Sequence, residues 1–282
     1  MRQICKDELL LNDWHVVAEL DQLNIKKTIT TFLLGIKIKI IKTEKNNIKI
    51  SQKERPLPLK LKYGFIWTSL GQPTQQIIDI PEAYEKGRHI ISGGAIQVKV
   101  SGLRVVENFL DQGHLSWVHD GYLGEQPHTE IPDYNVEIIN DEIFVSDVQL
   151  YQPVASTAAN DGFSVAYEWR VYRPFTVALY KANPVHKDKM DYIVIFIQPI
   201  DEENCIVHSF LCYLEDETSK DDVRWFMQFI FMQDKPILEN QMPKKLPLSS
   251  RAETPIKADK MSIIYRRWLN EKSISYGAIT NS

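Results

Sequence analysis

The first 75 residues alternate apolar and polar positions with the period of two that half-buried strands require. "DWHVVAEL" and "TITTFLLGIKIKII" predict strands, and "EKNN" supplies turn residues before the next alternation, "IKI". The prolines of "SQKERPLPLKLK" predict an extended connector, after which "YGFIWTSLG" returns to strand. A Gly/Pro break, "GQPTQQ", places a boundary near residue 75, which divides the chain into units 1–75 and 76–282. The second unit opens with the strand "IQVKVSG", and residues 104–120 predict a helix. Hairpins follow. "YNVEIINDEIFVSDVQLY" turns at Asn140-Asp141, "DYIVIFIQPIDEENCIVHSFLCYLE" turns at "DEEN", and "SVAYEWRVYRPFTVALYKA" alternates between them. After Thr218 the period changes. Ser219 with Asp222 three residues on is a helix-start signature for a long helix, and "KADKMSIIYRRWLNEK" predicts a terminal one. Antiparallel strands followed by a long late helix predict an α+β fold. A curved sheet gripping that helix leaves a cavity between them.

Composition excludes several classes. With 44% hydrophobic and 25% charged residues, the 282-residue chain can bury a core. No apolar run approaches the roughly 20 residues that span a bilayer, and the charged N-terminus has no apolar signal core, so a cytoplasmic location is expected. Three widely spaced cysteines do not suggest a disulfide framework. The net charge of −4 conceals an asymmetry: Lys26 to Lys62 holds eleven Lys/Arg against two Glu, a local +9 that leaves −13 elsewhere. That stretch is either the solvated face of strands or a docking surface for an acidic partner. Nothing suggests base readout of nucleic acid, a phosphate-cradling glycine loop or a nucleophile elbow.

The chemistry concentrates in "ENFLDQGHLSWVHDGYLG", residues 107–124. Two imidazoles and a carboxylate on one face suit an iron-type divalent metal and leave positions open for dioxygen and substrate. His114 and His119 offer the imidazoles. On an unbroken helix their rings point about 140° apart, so both reach one metal only if the helix ends or kinks between them. Gly113 allows such a break. Asp234 sits inside the apolar, aromatic helix "RWFMQFIFMQD", where a carboxylate is costly unless paired or metal-bound. From spacing alone a histidine pair is more often surface or core structure, and Asp234 fits a helix-surface aspartate equally well. Trp225, Phe226, Phe229 and Phe231 read most simply as helix core, some of them as pocket lining. His15 reads as structural, and His89, His128 and His186 suggest little.

These segments resemble the catalytic domain of the Rieske-type non-haem iron oxygenases, above all the branch of vanillate demethylase and phenylpropionate dioxygenase. Glu107, Asn108, Asp111, His114 and His119 match the family's E-N-x-x-D-x-x-H-x-x-x-x-H run, and Asp234, Glu239 and Gln241 match its late helix. "NDWHVVAEL", "YGFIWTSLGQP" and "ADKMSIIYRRWL" resemble the opening, the end of the Rieske domain and the terminal helix. The resemblance implies Fe(II) held by His114, His119 and Asp234, with Asp111 and Asn108 at the catalytic site. It departs from the family at the iron–sulfur cluster, whose ligands are written C-x-H and C-x-x-H. No C-x-H occurs, Cys205 and His208 form an isolated C-x-x-H in a strand, and Cys212 has no histidine near it. Only twelve residues separate "IKI" at 48–50 from Tyr63, too few for the cluster-bearing hairpins. The N-terminal unit is therefore expected to be a Rieske-like β remnant without an intrinsic [2Fe–2S] cluster.

The expected function is hydroxylation or oxidative demethylation of an apolar or aromatic small molecule with dioxygen. Electrons would come from a separate iron–sulfur protein, a Rieske-bearing partner subunit or a reducing co-substrate. Asp111, which in the family bridges an iron ligand to the neighbouring subunit's cluster, then either meets a partner chain or only orients its histidine. The family's ring of three makes a homotrimer or a hetero-oligomer the expected assembly. A non-catalytic subunit that binds a hydrophobic ligand is the alternative.

Overall fold

The computed structural model describes residues 2–153, 162–183, 186, 188–214, 218–249 and 251–280. A short helix α1 (Glu8–Leu11), strand β1 (His15–Glu19) and a helical turn α2 (Gln22–Ile25) open the chain. Six strands follow: β2 (Thr28–Leu33), β3 (Ile36–Lys42), β4 (Ile48–Gln52), β5 (Arg55–Pro56), β6 (Leu59–Lys62) and β7 (Phe65–Thr68). They pair as two antiparallel sheets, β1-β7-β6 and β2-β3-β4-β5. The alternation in "IKIKI" does what it predicts: Ile38 and Ile40 are buried, and Lys37 and Lys39 are exposed. The predicted extended connector instead carries the short strands β5 and β6. A two-residue turn at Lys53-Glu54 folds it back, because each proline sits where no ladder hydrogen bond is needed.

A single 3₁₀ turn, Pro81–Tyr84, leads to the second unit. Its elements are β8 (His89–Val98), α3 (Gly102–Leu110), α4 (Leu115–Val118), β9 (Asn135–Ile139), β10 (Glu142–Gln152), β11 (Phe163–Arg173), β12 (Thr176–Ala182), β13 (Met190–Asp201), β14 (Asn204–Tyr213), α5 (Lys220–Asn240) and α6 (Lys260–Glu271). The seven strands form one antiparallel sheet ordered β8-β14-β13-β12-β11-β10-β9. The expected α+β architecture is present. The β9–β10 turn falls at Asn140 and Asp141, both with positive φ (49° and 68°), the pair that a type I′ hairpin requires. Ser219 caps α5, accepting from the Asp222 amide at 3.2 Å.

Helix α5 lies along β8, the edge strand. Gln228 donates to the Gly93 carbonyl at 2.8 Å, and Arg224 to the Ser92 carbonyl at 3.0 Å. A side chain at position 93 would meet Ser209 Oγ at 2.2 Å and Met227 Cε at 3.1 Å, so glycine sets this close approach. Placement on an edge strand corrects the core assignment for Trp225, while Phe231 packs against the main apolar cluster. Only Asp234 and Leu238 of the helix are fully buried, while Trp225 is 61% exposed and stacks on Phe229 at 5.2 Å.

The two units are hydrogen-bonded at the β2–β3 turn. Leu34 and Gly35 donate backbone amides to the carbonyls of Pro199 (2.7 Å) and Ile200 (3.0 Å) at the end of β13. Gln198 donates to Phe32 O and Thr31 Oγ1 and accepts from His208, which burial pushes down to about 3 and so keeps neutral. Cys205 and His208, three apart on a strand, face opposite ways and form no metal pair. Gly35 has φ +83°, and a Cβ there would lie 2.1 Å from the Gln3 carbonyl oxygen. Gly35→Ala is expected to cost about 1–3 kcal/mol, read as a shifted midpoint in denaturant unfolding.

Candidate metal centre

The helix predicted over 104–120 is broken into two, and the break settles whether His114 and His119 can meet. Helix α3 ends at Leu110 with Asp111 as its extended C-cap. Asp111 Oδ1 accepts from the Gly113 amide at 2.8 Å, which turns the chain. His114 and His119 then bracket the four residues of α4, one at each end. Their Nε2 atoms come within 3.2 Å of each other. Asp234 approaches from α5, with Oδ1 3.1 Å from His119 Nε2 and 3.3 Å from His114 Nε2.

Each ring is held from behind. His114 Nδ1 donates to Asp111 Oδ2 at 3.2 Å, and His119 Nδ1 donates to Gln233 Oε1 at 2.8 Å. When both rings are neutral with Nδ1 protonated, as a bound metal would require, both Nε2 lone pairs point at Asp234. His119 and Asp234 are buried and His114 is half-buried. Asp234 Oδ1 is itself buried without a properly aligned hydrogen bond. Burial pushes the His114 imidazole down, but the hydrogen bonds and charges of Asp111 and Asp234 outweigh it and bring it up to about 9.

This donor set fits a divalent cation. Two lone pairs and a carboxylate oxygen facing one another repel unless a positive charge lies among them. A first-row metal bound at about 2.1 Å by three mutually perpendicular donors needs donor separations of about 3 Å. The observed edges are 3.1, 3.2 and 3.3 Å. Two imidazoles and one carboxylate form the facial set that leaves open positions.

Among the residues expected at the site, Asp111 is bound to His114, while Asn108 lines an adjoining cavity of about 240 Å³ together with Asp111, His114, Val118 and Gln241. Glu239 is away from the donors; it accepts from Lys235 and from the Lys99 amide at 3.0 Å, tying α5 to the end of β8. Sequence reasoning missed Gln233. Its only signal is adjacency to Asp234, and on a helix adjacent side chains diverge. It also missed what Glu107 does. Glu107 accepts from Arg104 at 3.1 Å and from Arg266 of α6, and both arginines reach Glu253, Arg104 at 2.7 Å. This mostly buried four-charge network locks α3, and with it Asp111, against α6.

Comparison with known proteins shows the family and the fold. Residues 98–273 match the family model of the vanillate O-demethylase oxygenase C-terminal domain. The chain is 38% identical to the probable methylxanthine N7-demethylase NdmC of Pseudomonas sp. (strain TJI-51), over 96% of this chain and 98% of that one. It is 26% identical to the methylxanthine N1-demethylase NdmA of Pseudomonas putida over 77% of its own length, spanning 63% of that relative. Among solved structures it superposes on NdmB of Pseudomonas putida CBB5 with TM-score 0.77 at 17% identity, covering 93% of this chain and 91% of that one. A dicamba monooxygenase bound to 3,6-dichlorosalicylic acid gives TM-score 0.75 at 14% identity, over 93% and 97% of the two chains.

Removing one member of the four-charge network strands the others. Glu107→Ala is expected to cost about 3–5 kcal/mol in chemical denaturation, far more than an exposed glutamate would.

Proposed function

The chain belongs to the Rieske-type oxygenases, in the family of the vanillate O-demethylase oxygenase C-terminal domain, and from that premise we propose a specific reaction for it: iron-dependent oxidative removal of an N-methyl group from a planar heterocycle of the methylxanthine kind. One observation carries this reading: the convergence of His114, His119 and Asp234 within 4.8 Å of one another, with Asp234 Oδ1 buried between two imidazoles. These three hold Fe(II), which when bound supplies the centre for dioxygen activation. The relatives' N-demethylation supplies the substrate class.

The remaining tasks fall to named side chains. Asp111 and Gln233 fix the tautomers of His114 and His119 and keep both Nε2 atoms free of protons. Asn108 and Asp111 stand at the cavity beside His114. The overall conversion takes N–CH₃, O₂, two electrons and two protons to N–H, formaldehyde and water. The two electrons require a reductant. Cys5, Cys205 and Cys212 are all buried and free, so the donor is a separate iron–sulfur protein or a Rieske-bearing subunit, in a hetero-oligomer or beside a homotrimer. Residues 1–75 are the strand scaffold of a Rieske domain without its cluster, and 76–282 the catalytic unit. The exposed Lys37 and Lys39 offer an acidic donor a basic face. The enzyme works in the cytoplasm; no helix among the described residues is long and apolar enough to cross a membrane.

Purified protein is expected to bind one iron per chain, with His114→Ala and Asp234→Ala iron-free and Gln233→Ala weakened about 10–100-fold. Supplied with a reduced Rieske protein and an N-methylated xanthine, the loaded wild type should release formaldehyde. Iron-free wild type carrying a hydrophobic ligand would instead identify a binding subunit.

A further inference from the structure

The inner face of the large sheet is apolar along most of β10 and β11. Ile143, Val145, Val148 and Leu150 alternate inward on one strand, and Val165, Trp169 and Val171 on the other. Two polar residues interrupt this floor. Gln152 is 0% exposed and Tyr167 is 6% exposed. The Gln152 amide nitrogen donates to the Tyr167 hydroxyl oxygen, so the Tyr167 proton is left to point elsewhere. Gln152 Oε1 is buried and has no hydrogen-bond partner among the described residues. Among the described residues the pair thus presents one unpartnered acceptor beside a hydroxyl whose proton is not taken up by Gln152, both buried.

Resting on the heterocycle reading above, we propose that Gln152 and Tyr167 form the polar edge that receives the substrate: Gln152 Oε1 accepts from a ring N–H and the Tyr167 hydroxyl donates to the carbonyl beside it. The complementary ligand feature is a cyclic amide edge, an N–H adjacent to a C=O. Such an edge satisfies both groups at once, whereas an N-methylated edge leaves Gln152 Oε1 buried and unpaired.

Placement supports the assignment. Tyr167 stacks on Trp169 at 5.4 Å and 26°, and the Trp169 indole donates at 2.9 Å to the carbonyl of Phe109, two residues before Asp111. Leu115, next to His114, and Phe231, a helical turn before Asp234, pack against the apolar cluster that contains Trp169 and Tyr167. Trp169 thus links the pair to the end of α3 next to Asp111, and Tyr167 stands about 7 Å along β11 from Trp169. Burial holds the Tyr167 phenol far above its ordinary range, which keeps it a donor.

Calorimetric titration of the full chain with two probes tests this. One is a xanthine with a free ring N–H beside a carbonyl; the other is the same ring methylated at that nitrogen. Wild type is expected to prefer the N–H form by about tenfold or more, and Gln152→Leu to bring the ratio within about twofold while leaving the methylated form's affinity unchanged. Tyr167→Phe keeps the stacked ring and is expected to weaken both probes alike; it decides the matter should Gln152→Leu fail to fold by circular dichroism. Equal binding of the two probes by wild type, or a preference surviving in Gln152→Leu, overturns the recognition role alone. Failure of wild type to bind either probe overturns the heterocycle reading itself.

Discussion

A buried carboxylate oxygen facing two imidazole nitrogens, a cluster that calls for positive charge among its members, is the constraint on which the second unit turns. Asp234 Oδ1 lies 3.1 and 3.3 Å from the two Nε2 atoms and has no aligned donor. Such a cluster is unfavourable without a cation and must be built by neighbours that gain elsewhere. The gains are visible. The broken α3–α4 turn is stabilised by the Asp111 carboxylate on the Gly113 amide. The roll of α3 is fixed by Arg104, Glu107, Arg266 and Glu253. The approach of α5 is set by Gly93 against Met227 and by Gln228 on the strand backbone. Two segments distant in sequence, α3–α4 and α5, are each pinned by interactions outside the three donors.

The N-terminal unit has the opposite character. It has a basic exposed face, and it meets the large sheet through a buried apolar core, in which Val16, Phe65 and Trp67 pack on Val194, Phe196 and Phe210, together with hydrogen bonds from the β2–β3 turn and the Gln198 carboxamide. Its β4-to-β6 connection is six residues, Lys53 to Pro58, with a tight turn inside it. A connection of that length closes the hairpin and extends no further. On the proposed reading this leaves Asp111 with its two bonds to Gly113 and His114 and a side chain still partly open to solvent, available to an incoming partner.

What the sequence disclosed follows the range of the interactions involved. Strands, the Asn140-Asp141 turn and the Ser219 cap were legible because each depends on a few neighbouring residues. The histidine pair was legible only conditionally, since a five-residue spacing works through a helix break that Gly113 permits but does not dictate. Gln233 was invisible because the partner that gives it meaning, His119, is 114 positions away. The aromatic run of α5 misled for a related reason. A helix so rich in Trp and Phe reads as core, yet it rests on an edge strand, and Trp225 is left outside with Phe229 as its neighbour. Glu107 and Arg266 form their pair across 159 positions, so neither alone signals a buried network.

Two of the buried unpartnered oxygens differ in a way that separates two kinds of ligand. Asp234 Oδ1 belongs to a charged group among lone pairs, and only a cation relieves it. Gln152 Oε1 belongs to a neutral carboxamide on an otherwise apolar floor, and a neutral N–H relieves it at no cost in charge burial. A cation would gain little from the second, because Tyr167 stays protonated and, among the described residues, no carboxylate bonds to the pair. A neutral heterocycle would gain little from the first, which a metal fills. On the proposal above, a planar ligand anchored by its polar edge at Gln152 and Tyr167 would have its remaining edge directed along the apolar floor, over Trp169, toward the imidazoles. Which substituent is presented there is then decided by which nitrogen carries hydrogen at the far end.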